Sequence, residues 1–491
     1  MWPLKLQRLR IVNKTLFMTK LDFLCLTPLL IIAGAPIIIM LMITIYRNFR
    51  LTYIFSLAMF VLSFLSLFLV APHATHYFDP LLVIDRYSIL FLGIIYLSGI
   101  LITILSYEYL LFQHGEREEY FIILFVAVLG ASILVMAEHF VSFFLGLETL
   151  SISLYVLIAY LKWRDNCIEA GVKFLVIASL TTAFLLFGMG LIYAETGTMS
   201  FREIFTAAGN LSAMSPLMLA GFGLILAGIG FKLALVPFHM WTPDIYQGAP
   251  VPVTTFIATI SKGAILALAL RLFIDIRGFE NRTLVIIISA VSILSMFTGN
   301  LLALKQTSMK RLLAYSSIAH LGYLLITLIA GTTAGIEASI FYLAAYIVTS
   351  LGAFGVISVL SVCEQDADNI EDLKGLFWTN PWIASVLTIA LLSLAGIPIT
   401  AGFISKFYIV LAGVKSGLWL LAFSLVINSV ISLYYYLRVI KTMFTPADSK
   451  KNYQISVSAH IVLAIIVAGI LFLGILPSFL TELVSVFSSL N

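Results

Sequence analysis

Long apolar runs, separated only by short polar stretches, constrain the fold of this chain more than any other feature. A helix needs about 20 mainly apolar residues to cross a bilayer. Fourteen runs of that kind lie at 22–46, 51–71, 82–106, 119–137, 139–161, 167–193, 216–236, 251–275, 283–304, 310–330, 335–361, 383–413, 417–443 and 456–477. We number them spans 1–14. Because backbone amides in hydrocarbon must be satisfied within the segment itself, the runs predict an all-α polytopic membrane protein.

The composition excludes the main classes of soluble protein. Apolar residues make up 61% of the 491 residues and charged residues 11%, whereas globular chains average about 45–50% and 25%. So few charges cannot cover a water-exposed surface, which excludes secreted domains, soluble enzymes, disordered regulators and nucleic-acid binders. The three cysteines, Cys25, Cys167 and Cys363, lie far apart. Their spacing predicts no iron–sulfur or zinc site and no disulfide framework.

Charged residues inside the predicted spans are the main candidates for function. Charges that loops, interfaces or span ends accommodate, Arg271 and Lys310 among them, are set aside, and those that remain are Glu148, Lys173, Lys232, Lys262 and Lys406. A charge at mid-bilayer costs about 2.5–3.5 kcal/mol, so such residues are functional candidates by default. Lys262 and Glu148 lie near the middle of their spans, where a side chain reaches the interface poorly. Lys173 lies within a turn or two of its span's start, where snorkelling to the interface explains it equally well.

Two of these lysines lie beside residues that interrupt helices. Lys232 is followed by Pro237, and Lys406 follows Gly396 and Pro398. Because proline removes an i→i−4 hydrogen bond, spans 7 and 12 are predicted to be broken near the lysines. Broken helices are tolerated at this depth only where protein buries them or where they line a wet cavity. Simple proline kinks without function are the alternative.

The two predicted breaks also indicate an internal repeat. Paired interrupted segments are typical of inverted-repeat transporters, and an offset of five spans reverses the orientation. We therefore predict inverted five-helix repeats in 119–275 (spans 4–8) and 276–443 (spans 9–13). Residues 21–118 hold spans 1–3, and 444–491 hold span 14 and the C-terminus.

Proton transfer is the chemistry that these residues suit best. A buried lysine exchanges its proton more readily than an exposed one, because burial disfavours the charged form, and a nearby carboxylate favours the charged form. Approach of Glu148 to Lys232 would therefore control whether the lysine holds its proton. Lysine is a poor ligand for Na⁺, so lysines outnumbering carboxylates favour H⁺ over a metal cation. His320, in span 10, is either a proton carrier between Lys262 and Lys406 or a hydrogen-bonded packing residue.

Several segments resemble one known family in a consistent order over about residues 20–480. GFKLALVPFHMWTPDIYQGAPVPVT (230–254) runs from span 7 into span 8, and SKGA (261–264) contains Lys262. FFLGLETLSISLYVL (143–157), EAGVKF (169–174), LLAYSSIAHLGYLL (312–325) and GIPITAGFISKF (396–407) match spans 5, 6, 10 and 12 of that family. The chain thus resembles the antiporter-like proton-channel subunits of type I NADH:quinone oxidoreductase (respiratory complex I), most closely their subunit N branch.

The resemblance implies fourteen helices, inverted repeats and a hydrophilic axis at mid-membrane. Glu148 and Lys232 would form the pair of the first half-channel, Lys262 the central relay and Lys406 the exit residue, with Lys173 as an auxiliary member. It also implies an H⁺-translocating subunit of an NADH:quinone oxidoreductase in the bacterial inner membrane. The chain itself would hold no cofactor, and partner subunits would bind NADH, FMN, iron–sulfur clusters and quinone.

Two alternatives stay open at this point. One is a subunit of a multisubunit cation/proton antiporter or of a membrane-bound hydrogenase from the same superfamily, which the WTPDIYQGAP segment (241–250) disfavours. The other is a membrane scaffold that transports nothing and only carries energy-converting partners.

The charge of the loops predicts the orientation and raises a question about the start of translation. Beyond the first twenty residues, loops away from the termini carry about twice as many Lys and Arg as the others, which places both termini on the outer, periplasmic side. The basic residues 1–20 favour the reverse. Translation from Met18 would remove this conflict. Under that hypothesis N-terminal sequencing finds a chain beginning at Met18, and retention of Met1 would exclude it.

Overall fold

The computed structural model describes residues 18–113, 115–208, 215–361, 366–447 and 455–487. Most of the basic N-terminal extension and Cys363 lie outside the described residues. Twelve helices in the described part of the chain are long and apolar enough to cross a membrane, and two shorter apolar helices accompany them. The prediction of an all-α polytopic membrane protein is confirmed.

The helices follow the predicted spans closely. In chain order they are α1 Lys20–Ile45, α2 Phe49–Val70, α3 Arg86–Leu111, α4 Glu119–Met136, α5 Phe140–Ile158, α6 Asp165–Thr196, α7 Phe201–Ala208, α8 Pro216–Lys232, α9 Trp241–Gly248, α10 Val251–Asp275, α11 Arg282–Ala303, α12 Met309–Ala330, α13 Thr333–Leu360, α14 Leu376–Thr379, α15 Pro381–Ala395, α16 Ala401–Lys415, α17 Trp419–Phe444, α18 Val457–Ile475 and α19 Pro477–Phe487.

A short β-hairpin marks the face of the protein on which α1 begins. Strands β1 (His76–Phe78) and β2 (Leu82–Ile84) pair antiparallel, with His76 opposite Ile84. The His76 ring contacts the carboxylate of Asp22 in the first turn of α1 at 2.6 Å, so hairpin and helix start share one face. We call this the terminal face, and we call the other the opposite face.

Span 7 is broken, as predicted, between α8 and α9. The helix ends at Lys232, and Ala234 takes a positive φ of 60°. The backbone groups of the break find partners elsewhere, since Val236 N donates to Ser295 Oγ and Trp241 Nε1 donates to the Phe231 carbonyl. Protein groups therefore satisfy the interrupted backbone at membrane depth, as hydrocarbon requires.

Span 12 is broken between α15 and α16 by its glycine and proline. Gly396 closes α15 with a φ of 86°, a left-handed conformation that favours glycine, and Pro398 follows in the turn. The Ser393 hydroxyl accepts from Gly402 N across the break at 3.1 Å. Both predicted breaks are thus confirmed, whereas the inverted relation between 119–275 and 276–443 stays a prediction.

Three helices at the centre of the protein position the site. Nearly all residues of α10, α12 and α13 are buried inside the protein, whereas only about a third of the residues of α1 and α2 are. Lys262 lies on α10 and His320 on α12. A π-helical turn, Ile257–Ser261, interrupts α10 directly before Lys262, and such turns occur frequently at functional sites.

Glycine lets α4 and α5 approach closely. A Cβ added at Gly130 would lie 2.5 Å from Leu150 N and 2.8 Å from the Gly146 carbonyl oxygen. Small residues are the usual means of close helix packing in membranes, where the hydrophobic effect does not drive helix association. This contact fixes α5, the helix that carries Glu148.

We expect Gly130→Ala to destabilise the protein by about 1–3 kcal/mol, because the added methyl group overpacks against backbone. Gly190→Ala on α6 is the matched control, since no atom lies within 4 Å of the Cβ it would gain. Thermal unfolding of the purified protein in detergent measures both. Equal unfolding temperatures for the two variants would contradict the close contact.

Candidate functional site

Lys232 is the last residue of α8 and is buried at the break of span 7. Its ammonium donates to Ser151 Oγ at 2.7 Å and lies over the Phe174 ring at 5.7 Å. The partial negative charge at a helix C-terminus favours a cation there, and the aromatic face adds to this. The break therefore supplies groups that stabilise the protonated form of a buried lysine.

Glu148 lies on the same helix face as Ser151, one turn earlier on α5. It is partly buried, and its carboxylate accepts a hydrogen bond from Thr182 Oγ1 at 2.7 Å. Among the ion pairs closer than 4.0 Å in the described part of the chain, none joins Glu148 to Lys232, although the two groups interact electrostatically. The structure therefore shows the predicted pair in an open arrangement, in which the two charged groups are separated. Lys232 is hydrogen-bonded to Ser151, and Glu148 is hydrogen-bonded to Thr182.

Lys262 is completely buried in the centre of the protein. Its ammonium donates to Ser317 Oγ of α12 at 2.5 Å and lies over the Tyr246 ring at 5.3 Å. The Tyr346 hydroxyl of α13 also donates to Ser317 Oγ, at 2.7 Å. Ser317 thus joins Lys262 on α10 to the Tyr346 hydroxyl on α13.

His320 lies in a cage of tyrosines next to that hydroxyl pair. Its Nδ1 is 2.5 Å from the Tyr342 hydroxyl, and its Nε2 is 3.4 Å from the Tyr436 hydroxyl. The ring centroids of His320 and Tyr346 are 5.4 Å apart. Tyrosine hydroxyls both donate and accept, so the cage offers proton-exchanging groups around the imidazole.

Lys406 is bound by backbone carbonyl groups at the break of span 12. Its ammonium donates to the carbonyl oxygens of Leu394 and Ala395, the last residues of α15, and to Ser429 Oγ, each at 2.9 Å. The interruption of the helix frees these carbonyls. Gly396 leaves room for the lysine, since an added Cβ would lie 2.9 Å from Lys406 Cδ.

A narrow cavity of about 10 Å³, no larger than one water molecule needs, lies between the histidine and this last lysine. Its lining includes His320, Tyr342, Tyr346, Ser393 and Lys406. Lys262, its serine and tyrosine partners, His320 and Lys406 therefore form one connected polar sequence through α10, α12, α13 and α16. His320 lies between the two lysines, and its role as a proton carrier stays a prediction.

Lys173 lies apart from the buried lysines. Its side chain is 46% exposed and pairs with Glu169 at 2.6 Å and with Asp244 at 3.8 Å. Asp244 also binds Arg311 at 2.6 Å. The interpretation of Lys173 as an intramembrane charge is therefore corrected: its ammonium forms ion pairs at the opposite face, as the snorkelling alternative implies.

Sequence reasoning assigned Arg271 to a membrane interface, but the structure buries it. Arg271 donates to both carboxylate oxygens of Asp85, at 2.9 and 3.0 Å, and to Ser88 Oγ at 3.0 Å. Burial alone raises the pKa of the Asp85 carboxyl, but Arg271 and Ser88 outweigh burial and hold that pKa below its ordinary value. The one sequence signal for this pair was the position of Arg271 inside span 8, 251–275.

Lys310 is the second cation that was assigned to a loop and is buried. It is 1% exposed, and its ammonium donates to Asp366 and to the Ala249 carbonyl. The only sequence signal for the burial of Lys310 was its position as the first residue of span 10. A position at the end of a span indicates exposure as readily as burial. Among the described residues, no group of three or more His, Cys, Asp or Glu is placed to hold a metal ion.

Comparison with known proteins places this geometry in a family. The profile of the family described as NADH:quinone oxidoreductase/Mrp antiporter, TM matches residues 137–432. NADH-quinone oxidoreductase subunit N of Methylococcus capsulatus is 43% identical over 463 residues, which cover 92% of each chain. The chain therefore belongs to the family of membrane subunits that NADH:quinone oxidoreductases and Mrp antiporters share. Within it, the predicted resemblance to the subunit N branch is confirmed.

Solved structures give the same result for the fold. A chain of respiratory complex I from Thermus thermophilus, with bound aureothin, superposes with a TM-score of 0.80 at 30% identity, covering 93% of this chain and 98% of that one. A chain of the archaeal membrane-bound sulfane sulfur reductase reaches 0.84 at 26%, covering 96% and 97%. A chain of the Mrp complex from Dietzia sp. DQ12-45-1b reaches 0.85 at 20%, covering 96% and 97%, which shows a shared fold alone.

Proposed function

We propose that this chain is the proton-translocating membrane subunit of a respiratory complex I. The observation that carries the proposal is the set of three buried lysines, Lys232, Lys262 and Lys406, each bound to a serine hydroxyl. Protons would move along these lysines, with Glu148 at the first and His320 between the last two. Lys173 would be an auxiliary group at the opposite face.

The open arrangement of Glu148 and Lys232 supports a switching role for this pair. At about 4 Å and an effective dielectric constant of about 20, two unit charges interact by about 4 kcal/mol. Closing the pair would hold a proton on Lys232, and opening it would release that proton toward Lys262. Ser151 and Thr182 stabilise the separated state, because each supplies one partner for a group that burial would otherwise leave unsatisfied.

The ligands of the path favour protons over metal cations. The polar groups that face Lys262 and Lys406 are ammonium, hydroxyl, imidazole and carbonyl groups. A Na⁺ site consists of carboxylate and other oxygen ligands, with no second cation close by. The two ammonium groups of this path would repel a metal ion. This argues against the alternative of a cation/proton antiporter subunit, which the shared fold by itself leaves open.

The rest of the machinery would lie in other subunits of a hetero-oligomer in the bacterial inner membrane, with the termini of this chain on the periplasmic side. The relative at 43% identity is a subunit of an NADH-quinone oxidoreductase, whose name implies NADH oxidation and quinone reduction. We propose that partner subunits bind NADH, FMN, iron–sulfur clusters and quinone. Residues 119–275 and 276–443 would supply the two inverted half-channels.

We expect Lys232→Ala and Glu148→Ala each to lower the rate of NADH-driven proton pumping to less than about a tenth of the wild-type rate, because positioned proton-transfer groups typically contribute 10²–10⁴-fold to a rate. Coupled quinone reduction falls as well, while the complex still assembles. Lys173→Ala causes a smaller loss. Fluorescence quenching of a pH dye in proteoliposomes measures pumping, and native electrophoresis measures assembly.

Lys305→Ala, an exposed lysine in the loop after α11, is the matched control and retains full pumping. Normal assembly with normal pumping in both Lys232→Ala and Glu148→Ala would eliminate the channel function. That result would leave the scaffold alternative, in which this chain only carries its partners.

A further inference from the structure

Asp366 joins three distant parts of the chain at the opposite face. Its carboxylate accepts from Lys310 Nζ at 2.6 Å and from Arg164 Nη1 at 2.9 Å. The Tyr109 hydroxyl of α3 donates to the same carboxylate at 2.7 Å. One carboxylate thus neutralises a lysine at the start of α12 and an arginine at the start of α6.

The electrostatics of this cluster are strong because it is largely buried. Burial alone raises the pKa of the Asp366 carboxyl, but Lys310 and Arg164 outweigh burial and hold that pKa below its ordinary value. Asp366 therefore stays ionised beside a lysine. Its charge is divided between two cations, so Lys310 does not have a carboxylate to itself.

A polar pocket connects the cluster to solvent. Gln247, Ser308 and Asp368 line it together with Lys310 and Asp366. It lies between the end of α9, the start of α12 and the segment that follows α13. Lys310 therefore lies at the inner wall of a water-accessible space, although almost none of its own surface is exposed.

The other side of Lys310 leads toward Lys262. Lys310 Nζ donates to the Ala249 carbonyl at 3.0 Å, directly after α9. Tyr246, one turn earlier on α9, places its ring against Lys262. Lys310 and Ser317 lie seven residues apart on α12, which is about 10 Å at 1.5 Å per residue, so proton transfer between them requires intervening water molecules.

We propose that Lys310 is a further proton carrier, which passes protons between the polar pocket of the opposite face and Lys262. In each transfer its ammonium gives up one N–H proton toward Ser317 and Lys262. The resulting amine then takes one proton from water in the pocket. Asp366, with Arg164 as its second cation, is the positioning residue that holds Lys310 between the two.

The residue type separates this role from a structural one. A buried clamp between two helices is served best by arginine, whose planar fork binds carboxylates in bidentate fashion and does not release its proton. The chain uses arginine in a largely buried ion pair at Arg164 and binds a buried carboxylate in bidentate fashion with Arg271. At the position between the pocket and Lys262 the chain instead has Lys310, whose ammonium group can release a proton and become neutral.

The test rests on the proposed pumping function and compares Lys310→Arg with Lys305→Arg in the assembled complex in proteoliposomes. Lys310→Arg keeps the charge and the ion pair to Asp366 but cannot give up a proton. We expect assembly to be normal and NADH-driven pumping to fall at least about tenfold, while Lys305→Arg, at an exposed position, pumps normally. Pumping by Lys310→Arg at the wild-type rate would overturn the proposal.

Two further variants cover the case in which arginine does not fit. Lys310→His and Lys310→Gln are both smaller than lysine, but only histidine exchanges a proton near neutral pH. We expect pumping by Lys310→His to exceed that by Lys310→Gln severalfold, and equal rates overturn the carrier role.

Lys262→Ala separates this inference from the proposed function. If Lys262→Ala pumps normally, the pumping function itself fails. If Lys262→Ala stops pumping and Lys310→Arg does not, only the carrier role of Lys310 fails.

Discussion

The charge–dipole interaction between lysines and helix C-termini inside the membrane is the constraint on which the rest of this structure depends. α8 ends at Lys232, and the last carbonyls of α15 bind Lys406. A helix end at this depth leaves carbonyl groups that hydrocarbon cannot satisfy, and a lysine at this depth needs acceptors. Each feature is costly alone. At the end of α15 they satisfy one another directly, whereas the Lys232 ammonium at the end of α8 donates to Ser151 Oγ. The breaks and the buried charges are therefore a single arrangement.

The polar sequence between these two breaks follows from the packing of the central helices. Helices α10, α12 and α13 are buried on nearly all sides, so their polar side chains find partners in one another and in neighbouring helices such as α17, which carries Tyr436. Ser317 joins Lys262 to Tyr346, and His320 takes two tyrosine hydroxyls. Hydroxyls donate and accept equally well, so such a network can carry a proton in either direction without rearranging the backbone.

Sequence patterns predicted the features that local chemistry determines. Apolar run length predicted the spans, and proline and glycine beside Lys232 and Lys406 predicted the breaks. Contacts between distant segments could not be predicted, because no local sequence pattern encodes them. Arg271 and Asp85 are 186 residues apart, and Lys310 and Asp366 are 56 residues apart. Lysines at span ends were also ambiguous, since Lys173 reaches the aqueous face whereas Lys310 turns inward. The serine partners were missed because serine is common in membrane helices and carries no charge to single it out.

The central claim is that Lys232, Lys262, His320 and Lys406 belong to one hydrated proton path. A cryo-EM structure of the assembled complex, at a resolution that shows ordered water, tests it most directly. We expect water molecules and side-chain hydroxyls to connect Ser151 through Lys262 to Lys406, with each step within hydrogen-bonding distance in at least one state of the complex. Dry, apolar packing between Lys262 and Lys406 in every state would contradict this account.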